Sequence, residues 1–250
     1  MTQATIVALY GDKPEPLRSL LASLQADVAD VLGRRFTPYR LEQIHATIVG
    51  LERNERQATR LVNRNHAILR GAEVAMDFDG LLGFLRTSDL IPFTVQIGGF
   101  AERDYPFASR GARPFERSFS LQGRSAVVMG WPVTARSYPP VLAQLRRGAE
   151  RFGIVHAYHA TTADTDNDFY FRLGVIDNPP PVGNGIAEDL ARRLRQRLAA
   201  QPPLAATIGL SQLSVAFYAA PELPPATTRA FAVDDPAVTG AFIASRLRQG

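Results

Sequence analysis

The sequence predicts an α+β fold in which one strand–helix–strand–helix–strand unit occurs twice, and three observations predict it. Apolar positions switch between a period of two residues and a period near 3.6 in the same order in each half of the chain. Hydrophobic residues form 46% of the 250 residues against 21% charged, which suits a buried core and excludes a disordered chain. Glycine, proline and asparagine punctuate the periodic stretches at lengths expected of single elements. The doubled order divides one domain, 1–250, into a first lobe over about 1–100 and a second over about 124–250. A long loop, 101–123, connects them.

Thr5 to Tyr10 alternates as the first strand. Asp12 and Pro14 then signal a helix start ahead of Leu17, Leu20, Leu21, Leu24, Val28 and Val31 at helical spacing, and Gly33 stops it. After the turn-like Thr37-Pro38-Tyr39, Ile44 to Val49 alternates as a second strand. A second helical stripe carries Ala58, Leu61, Val62, Ile68 and Leu69 before Gly71, and Phe93 to Ile97 closes the unit. In the second unit Ser125 to Met129 reads as a strand, Val141, Leu142, Leu145, Ala149 and Phe152 as a helix face, and Phe169 to Leu173 as a strand. Asn184 is placed to cap a helix whose stripe is Ile186, Leu190, Leu194 and Leu198, and Leu213 to Tyr218 ends the unit. Two segments fall outside the repeat, 73–92 and the aromatic loop 101–123. The latter holds Tyr105, Phe107, Arg110, Arg113, Phe115, Arg117 and Phe119. It reads either as a cover that brings these groups to a base or phosphate, or as a lid packed on its own aromatics.

The formal net charge of +4 opens a nucleic-acid reading. Lys13 is the only lysine, however, and arginine in a chain rich in Ala and Pro follows as readily from a GC-rich genome. No window approaches the roughly 18 uninterrupted apolar residues of a membrane-spanning helix. Met1-Thr2-Gln3-Ala4 runs into the first strand without the basic and apolar regions of a signal peptide, so the expected location is the cytoplasm. The absence of cysteine excludes disulfides and thiolate metal ligands.

Side chains alternate faces along a strand, so Ile44, Ala46 and Ile48 point one way while His45 and Thr47 point the other. The apolar set meets the helices. An imidazole and a hydroxyl therefore stand together on the opposite face, where His exchanges a proton near neutral pH and Thr donates to an oxyanion.

In the run Gln43-Ile44-His45-Ala46-Thr47-Ile48-Val49 after a short polar turn, and in the last strand Leu213 to Tyr218 followed by a loop, the chain resembles the two-histidine phosphoesterases. These include bacterial RNA 2′,3′-cyclic phosphodiesterases of the LigT type. The likeness covers the order of elements over almost the whole chain. It implies a bilobal duplication whose antiparallel sheets face a central groove, with one His-x-Thr or His-x-Ser strand per lobe. It also implies a cyclic phosphodiesterase-type hydrolase that works without metal or cofactor, one His as base and the other as acid, with hydroxyls holding the phosphate. By that likeness His45 is a proton-transfer group and Thr47 a phosphate contact. The implied partner is a small nucleotide or RNA with a cyclic phosphate, and no membrane.

The second motif departs from the family pattern. Aligning Phe169, Phe171 and Leu173 with Ile44, Ala46 and Ile48 sets Tyr170 opposite His45 and Arg172 opposite Thr47, so the second His is missing. Arg172 suits bidentate contact with a phosphate, and Tyr170 suits donation to a leaving oxygen. A second His-Ala-Thr occurs at His159-Ala160-Thr161, but a polar turn follows it. Ile154 to Thr162 and Phe169 to Ile176 then read as a hairpin, from which His159 or His156 supplies the missing imidazole.

His156-x-x-His159 has a metal-like spacing only on a helix, because on a strand the rings diverge. Asp164-x-Asp166-x-Asp168 lacks the Gly and Glu of a calcium loop and reads as a polar turn. His66 has no paired partner nearby in sequence, and Arg192, Arg193, Arg195 and Arg197 spread around a solvated helix. Two functions follow. The first is a phosphoesterase acting on a cyclic phosphate or phosphodiester of RNA or a small nucleotide. His45 moves the proton, Thr47 and Arg172 hold the phosphate, and Tyr170 or His159 serves the other oxygen. The alternative, motivated by the missing His, is a catalytically inactive protein of the same fold that binds a nucleotide or phosphate.

Overall fold

The computed structural model describes residues 2–56, 60–161, 164–179 and 185–249. The chain runs β1 (Gln3–Ala8), α1 (Leu17–Leu32), β2 (Phe36–Pro38), β3 (Ala46–Gly50), α2 (Arg64–Arg70), α3 (Phe78–Thr87), β4 (Phe93–Ile97), α4 (Pro114–Ser118) and β5 (Phe119–Gln122). It continues through β6 (Ser125–Val133), α5 (Val141–Gly148), β7 (Phe169–Ile176), α6 (Gly185–Ala200), β8 (Leu204–Ile208), β9 (Leu213–Tyr218), β10 (Arg229–Ala232) and α7 (Gly240–Gln249). One sheet has the order β10-β9-β1-β3; the other has β2-β7-β6-β4-β8, with β5 paired to β6. Every pairing among these strands is antiparallel, and the curled sheets form a half-barrel.

Period-two burial builds the core. Ala4, Ile6 and Ala8 of β1, Ala46 and Ile48 of β3, and Phe169, Phe171 and Leu173 of β7 share one apolar cluster with the stripes of the helices. Helix α1 contributes Leu17, Leu21, Leu24, Val28 and Leu32, each burial worth about 2 kcal/mol, and ends at Gly33, whose φ of 54° lies where a side chain would be strained. Helix α6 contributes Leu190, Leu194 and Leu198. On the other face of these strands, Thr47, Tyr170 and Arg172 line one cleft.

Several local expectations change. The sheets do not divide at the middle of the chain: β4, expected to close the first unit, pairs with β6 and β8, and β9, expected to close the second, pairs with β1. Long-range pairing decides this, and no local pattern encodes it. The stripe before Gly71 forms only α2. Leu61 and Val62 precede it in an extended segment bridged to Ala75, Ile68 is 70% exposed, and Ala58 lies outside the described residues. Segment 73–92 contains α3, capped by the Asp77 carboxylate accepting from Gly80 N–H and buried through Phe78, Leu81, Leu82 and Leu85. Asp12 does not cap α1, which starts after Pro16 without a side-chain cap. Ile186 is 53% exposed, and the expected cap Asn184 lies outside the described residues. Loop 101–123 includes α4 and β5. Among the described residues of 153–168 no strand forms; β7 pairs instead with β2 and β6, so the expected hairpin is replaced by turns. No helix among the described residues is long and apolar enough to cross a membrane.

Candidate active site

A cleft of about 270 Å³ is lined by residues of both sheets, among them Tyr39, His45, Thr47, Tyr170, Arg172 and His156. A bulge marks each sheet beside it. The β1–β3 register steps from Ile6↔Val49 to Val7↔Thr47, leaving Ile48 as the extra residue, and the β6–β7 register steps from Ala126↔Gly174 to Val127↔Arg172, leaving Leu173. Such bulges re-aim the neighbouring side chain, here Thr47 and Arg172.

His45 sits one residue before β3, after the 3-10 turn Leu41–Gln43. Its Nδ1 is 2.7 Å from the Gln43 carbonyl oxygen, which can only accept, so Nδ1 carries the proton and Nε2 keeps its lone pair. The Gln43 side chain is itself buried and donates to Glu222 O at 2.6 Å, anchoring this turn to the loop after β9. Burial lowers the His45 pKa to about 4; the Gln43 hydrogen bond opposes this, and the charges of Lys13 and Arg172 reinforce it. At neutral pH His45 is an uncharged base.

Arg172 lies over the Tyr39 ring at 5.5 Å from its centroid. Its Nε is buried without a hydrogen-bond partner, and so is the Tyr39 hydroxyl. Arg172 also has no carboxylate within ion-pair distance among the described residues. Buried donors are seldom left unpaired, so the Arg172 guanidinium beside the neutral imidazole has donor capacity to spare. Tyr170 keeps its proton at neutral pH, because burial raises the phenol above its ordinary value.

The chain directions of β3 and β7 correct one expected juxtaposition. The Arg146 guanidinium reaches Thr47 O and Ile48 O on one side and Asp166 O and Asp168 O on the other, while Arg172 acts on His45. Residue numbers therefore fall along β3 as they rise along β7. Arg172 stands at the His45 end, and Tyr170 lies nearer Tyr158 and Arg110, whose charges act on it.

His156 lines the cleft and His159 does not. The two rings sit at the ends of a turn closed by His159 N–H donating to His156 O at 3.0 Å, with centroids 5.7 Å apart. His159, 1% exposed, accepts from Asp166 N–H through Nε2 at 3.3 Å. The backbone turn, in place of the expected strand, turns His159 inward. His156 Nε2 is 3.0 Å from Asp166 Oδ2. Burial, then the Arg146 charge, lower the His156 pKa to about 4 against the pull of Asp166. Burial alone would raise the Asp166 carboxyl, but the His156 hydrogen bond and the Arg146 and Arg110 charges outweigh it and hold it below the usual carboxylate range. Nε2–H of His156 thus donates to a carboxylate.

Sequence reasoning missed the supports of this site. Arg146, 2% exposed, occupies the apolar face of α5 between Leu142 and Ala149, and a charge in that stripe was the available signal. Asp166 and Asp168 looked like solvated turn residues, yet both are 5% exposed. Asp168 Oδ1 accepts from Ser109 Oγ and Trp131 Nε1, each at 2.7 Å, and Oδ2 accepts from Arg117 at 3.2 Å. These bonds seat loop 101–113 while Tyr105 and Phe107 pack with Phe100, Trp131 and Tyr138. The loop is largely a lid packed on aromatics, and Arg110 is its contribution to the cleft. His66 bonds Ala72 O through Nδ1 at 2.9 Å, outside the cleft. Arg192 pairs with Asp189, Arg195 with Phe119 O, and Arg197 with Asp27 and Ser23, so this run is partly structural.

No protein-family model matches the sequence, and no curated protein is significantly similar to it. Among solved structures, TT0787 of Thermus thermophilus aligns at 14% identity with a TM-score of 0.40, covering 93% of this chain and 95% of that one. A conserved protein of unknown function from Agrobacterium tumefaciens str. C58, ATU0111, aligns at 16% identity with a TM-score of 0.42, covering 82% and 80%.

Proposed function

We propose that the chain is a metal-independent phosphoesterase, similar to the two-histidine phosphoesterases, that opens a cyclic phosphate of RNA or a small nucleotide. The observation that carries the proposal is the unpaired, half-buried Arg172 guanidinium in one cleft with the free Nε2 of His45 and the Thr47 hydroxyl. The side chains divide the chemistry. Arg172 and Thr47 hold the non-bridging oxygens, which disperses the charge that grows on phosphorus-bound oxygen. His45 takes a proton from water as the water oxygen bonds to phosphorus. The bond from phosphorus to one ribose oxygen breaks, and Tyr170 gives that oxygen a proton, because an alkoxide is more basic than a phenolate. Solvent returns the His45 proton to the phenolate and the product is a phosphomonoester.

The duplicated, bilobal architecture belongs to the same proposal. Its support is the matched pair of bulges after Thr47 and Arg172, which two copies of one unit would retain. The test is turnover of a 2′,3′-cyclic nucleotide by the wild type and by His45→Ala. A loss of about 10²- to 10⁴-fold is expected for a general base; equal rates would remove His45 from the chemistry. A second reading, a catalytically inactive binder of the same ligands, is favoured by Tyr170 and Arg172 in the facing strand where a second imidazole would be expected. Calorimetric saturation by a cyclic nucleotide with no product formed would establish it.

A further inference from the structure

β3 carries the cleft from Thr47 to Gly50, three residues or about 10 Å of extended chain, a span that one nucleotide bridges. The far end differs in chemistry from the His45 end. Tyr158 lines it and is nonetheless 56% exposed. The Arg110 guanidinium covers one face of its ring, 4.0 Å from the centroid, and is held there by Asp166 and Asp168, each 3.8 Å away. Arg110 itself has a φ of 49°, a conformation that non-glycine residues keep only where the surroundings enforce it. With Arg110 on one face and the His156 ring tilted at 64° with centroids 5.7 Å apart, the largely exposed Tyr158 ring is backed as a platform, the kind of aromatic surface on which nucleobases stack.

The same cleft is lined by an oriented acceptor. The Glu52 carboxylate folds back over Gly50, where a Cβ would lie 2.1 Å from Oε2, so this position tolerates no side chain while the carboxylate stays. Tyr218 donates to Oε1 at 2.8 Å and orients the group. Glu52 has no cationic partner within ion-pair distance among the described residues, and it faces the cleft with lone pairs to spare. A carboxylate aimed at the edge of a stacked base accepts two adjacent N–H groups, and guanine presents such a pair at N1 and N2.

We infer that this end of the cleft is a nucleobase pocket selective for guanine, with Tyr158 as the stacking surface and Glu52 as the edge acceptor. The inference rests on the phosphate-site reading above and names its substrate class. Its test is calorimetric titration with guanosine, adenosine and cytidine 3′-monophosphates and with inorganic phosphate. The guanosine nucleotide should bind about tenfold more tightly than the other two, the discrimination a bidentate contact supplies. Glu52→Gln, which keeps a partner for Tyr218, should abolish that preference alone. Tyr158→Ala should weaken all three nucleotides about tenfold and leave inorganic phosphate unchanged. Equal nucleotide affinities in the wild type, or a preference that survives Glu52→Gln, would overturn the inference while phosphate binding upholds the phosphate site. Failure of phosphate and every nucleotide to bind would overturn both.

Discussion

His45 and His156 share an electrostatic state that has a consequence for stability. Both are held to about 4 by burial, against an ordinary imidazole value of 6.5. As pH falls below 6.5 the unfolded chain binds protons that the folded chain refuses, so the stability contributed by these two histidines declines from about pH 6.5 to about pH 4, and their effect levels off beneath it. Each tenfold loss of proton affinity on folding corresponds to about 1.4 kcal/mol. Because both imidazoles are lowered to about 4, each contributes to the effect. Denaturant midpoints at pH 7 and 4.5 measure it. His156→Gln, which still donates to Asp166, should lose clearly less stability over that interval than the wild type; an equal loss in the two proteins would exclude His156 as a source.

Arg146 sets the geometry at the scale of elements. From α5 it gives hydrogen bonds to carbonyl oxygens of β3 at 2.8 and 2.9 Å and to those just before β7 at 2.9 and 3.2 Å. An ion pair to Asp166 at 3.3 Å neutralises it. Lysine has one nitrogen and no fork, so Arg146→Lys leaves most of these buried acceptors unpaired. The expected cost is about 3 kcal/mol in urea denaturation, the range for breaking one side of a buried charged network. A cost below about 1 kcal/mol would show that the strands hold their separation without it. The segments that sequence patterning described best, β7, β9 and α1, are those where a periodic stripe meets a deep core. Patterning failed at 153–168, where charged side chains bury against one another and leave no periodicity to read.

The whole molecule is held together by exchange between its ends. β1 pairs with β9 from the C-terminal part of the chain, and β4 lies in the sheet of β6 and β8. A fragment of residues 1–100 therefore lacks the partner of β1 and carries β4 without its neighbours. It should give a collapsed, poorly dispersed amide NMR spectrum, whereas a dispersed spectrum with folded-state hydrogen-exchange protection would mean that the first hundred residues close their own sheet. Exposed strand edges in such a fragment would also favour aggregation.

By itself the sequence determined the α+β class, most of the core stripes, and the placing of His45 and Thr47 opposite an apolar face, because periods of 2 and 3.6 residues are local properties of the backbone. It also singled out Tyr170 and Arg172, through the same alternation. The tertiary structure alone decided which strands pair, that Arg172 rather than Tyr170 stands at the His45 end, that His156 rather than His159 enters the cleft, and that Arg146, Asp166 and Asp168 are buried. Those outcomes depend on contacts between residues distant in sequence, whose energies compensate one another only once the two sheets have met.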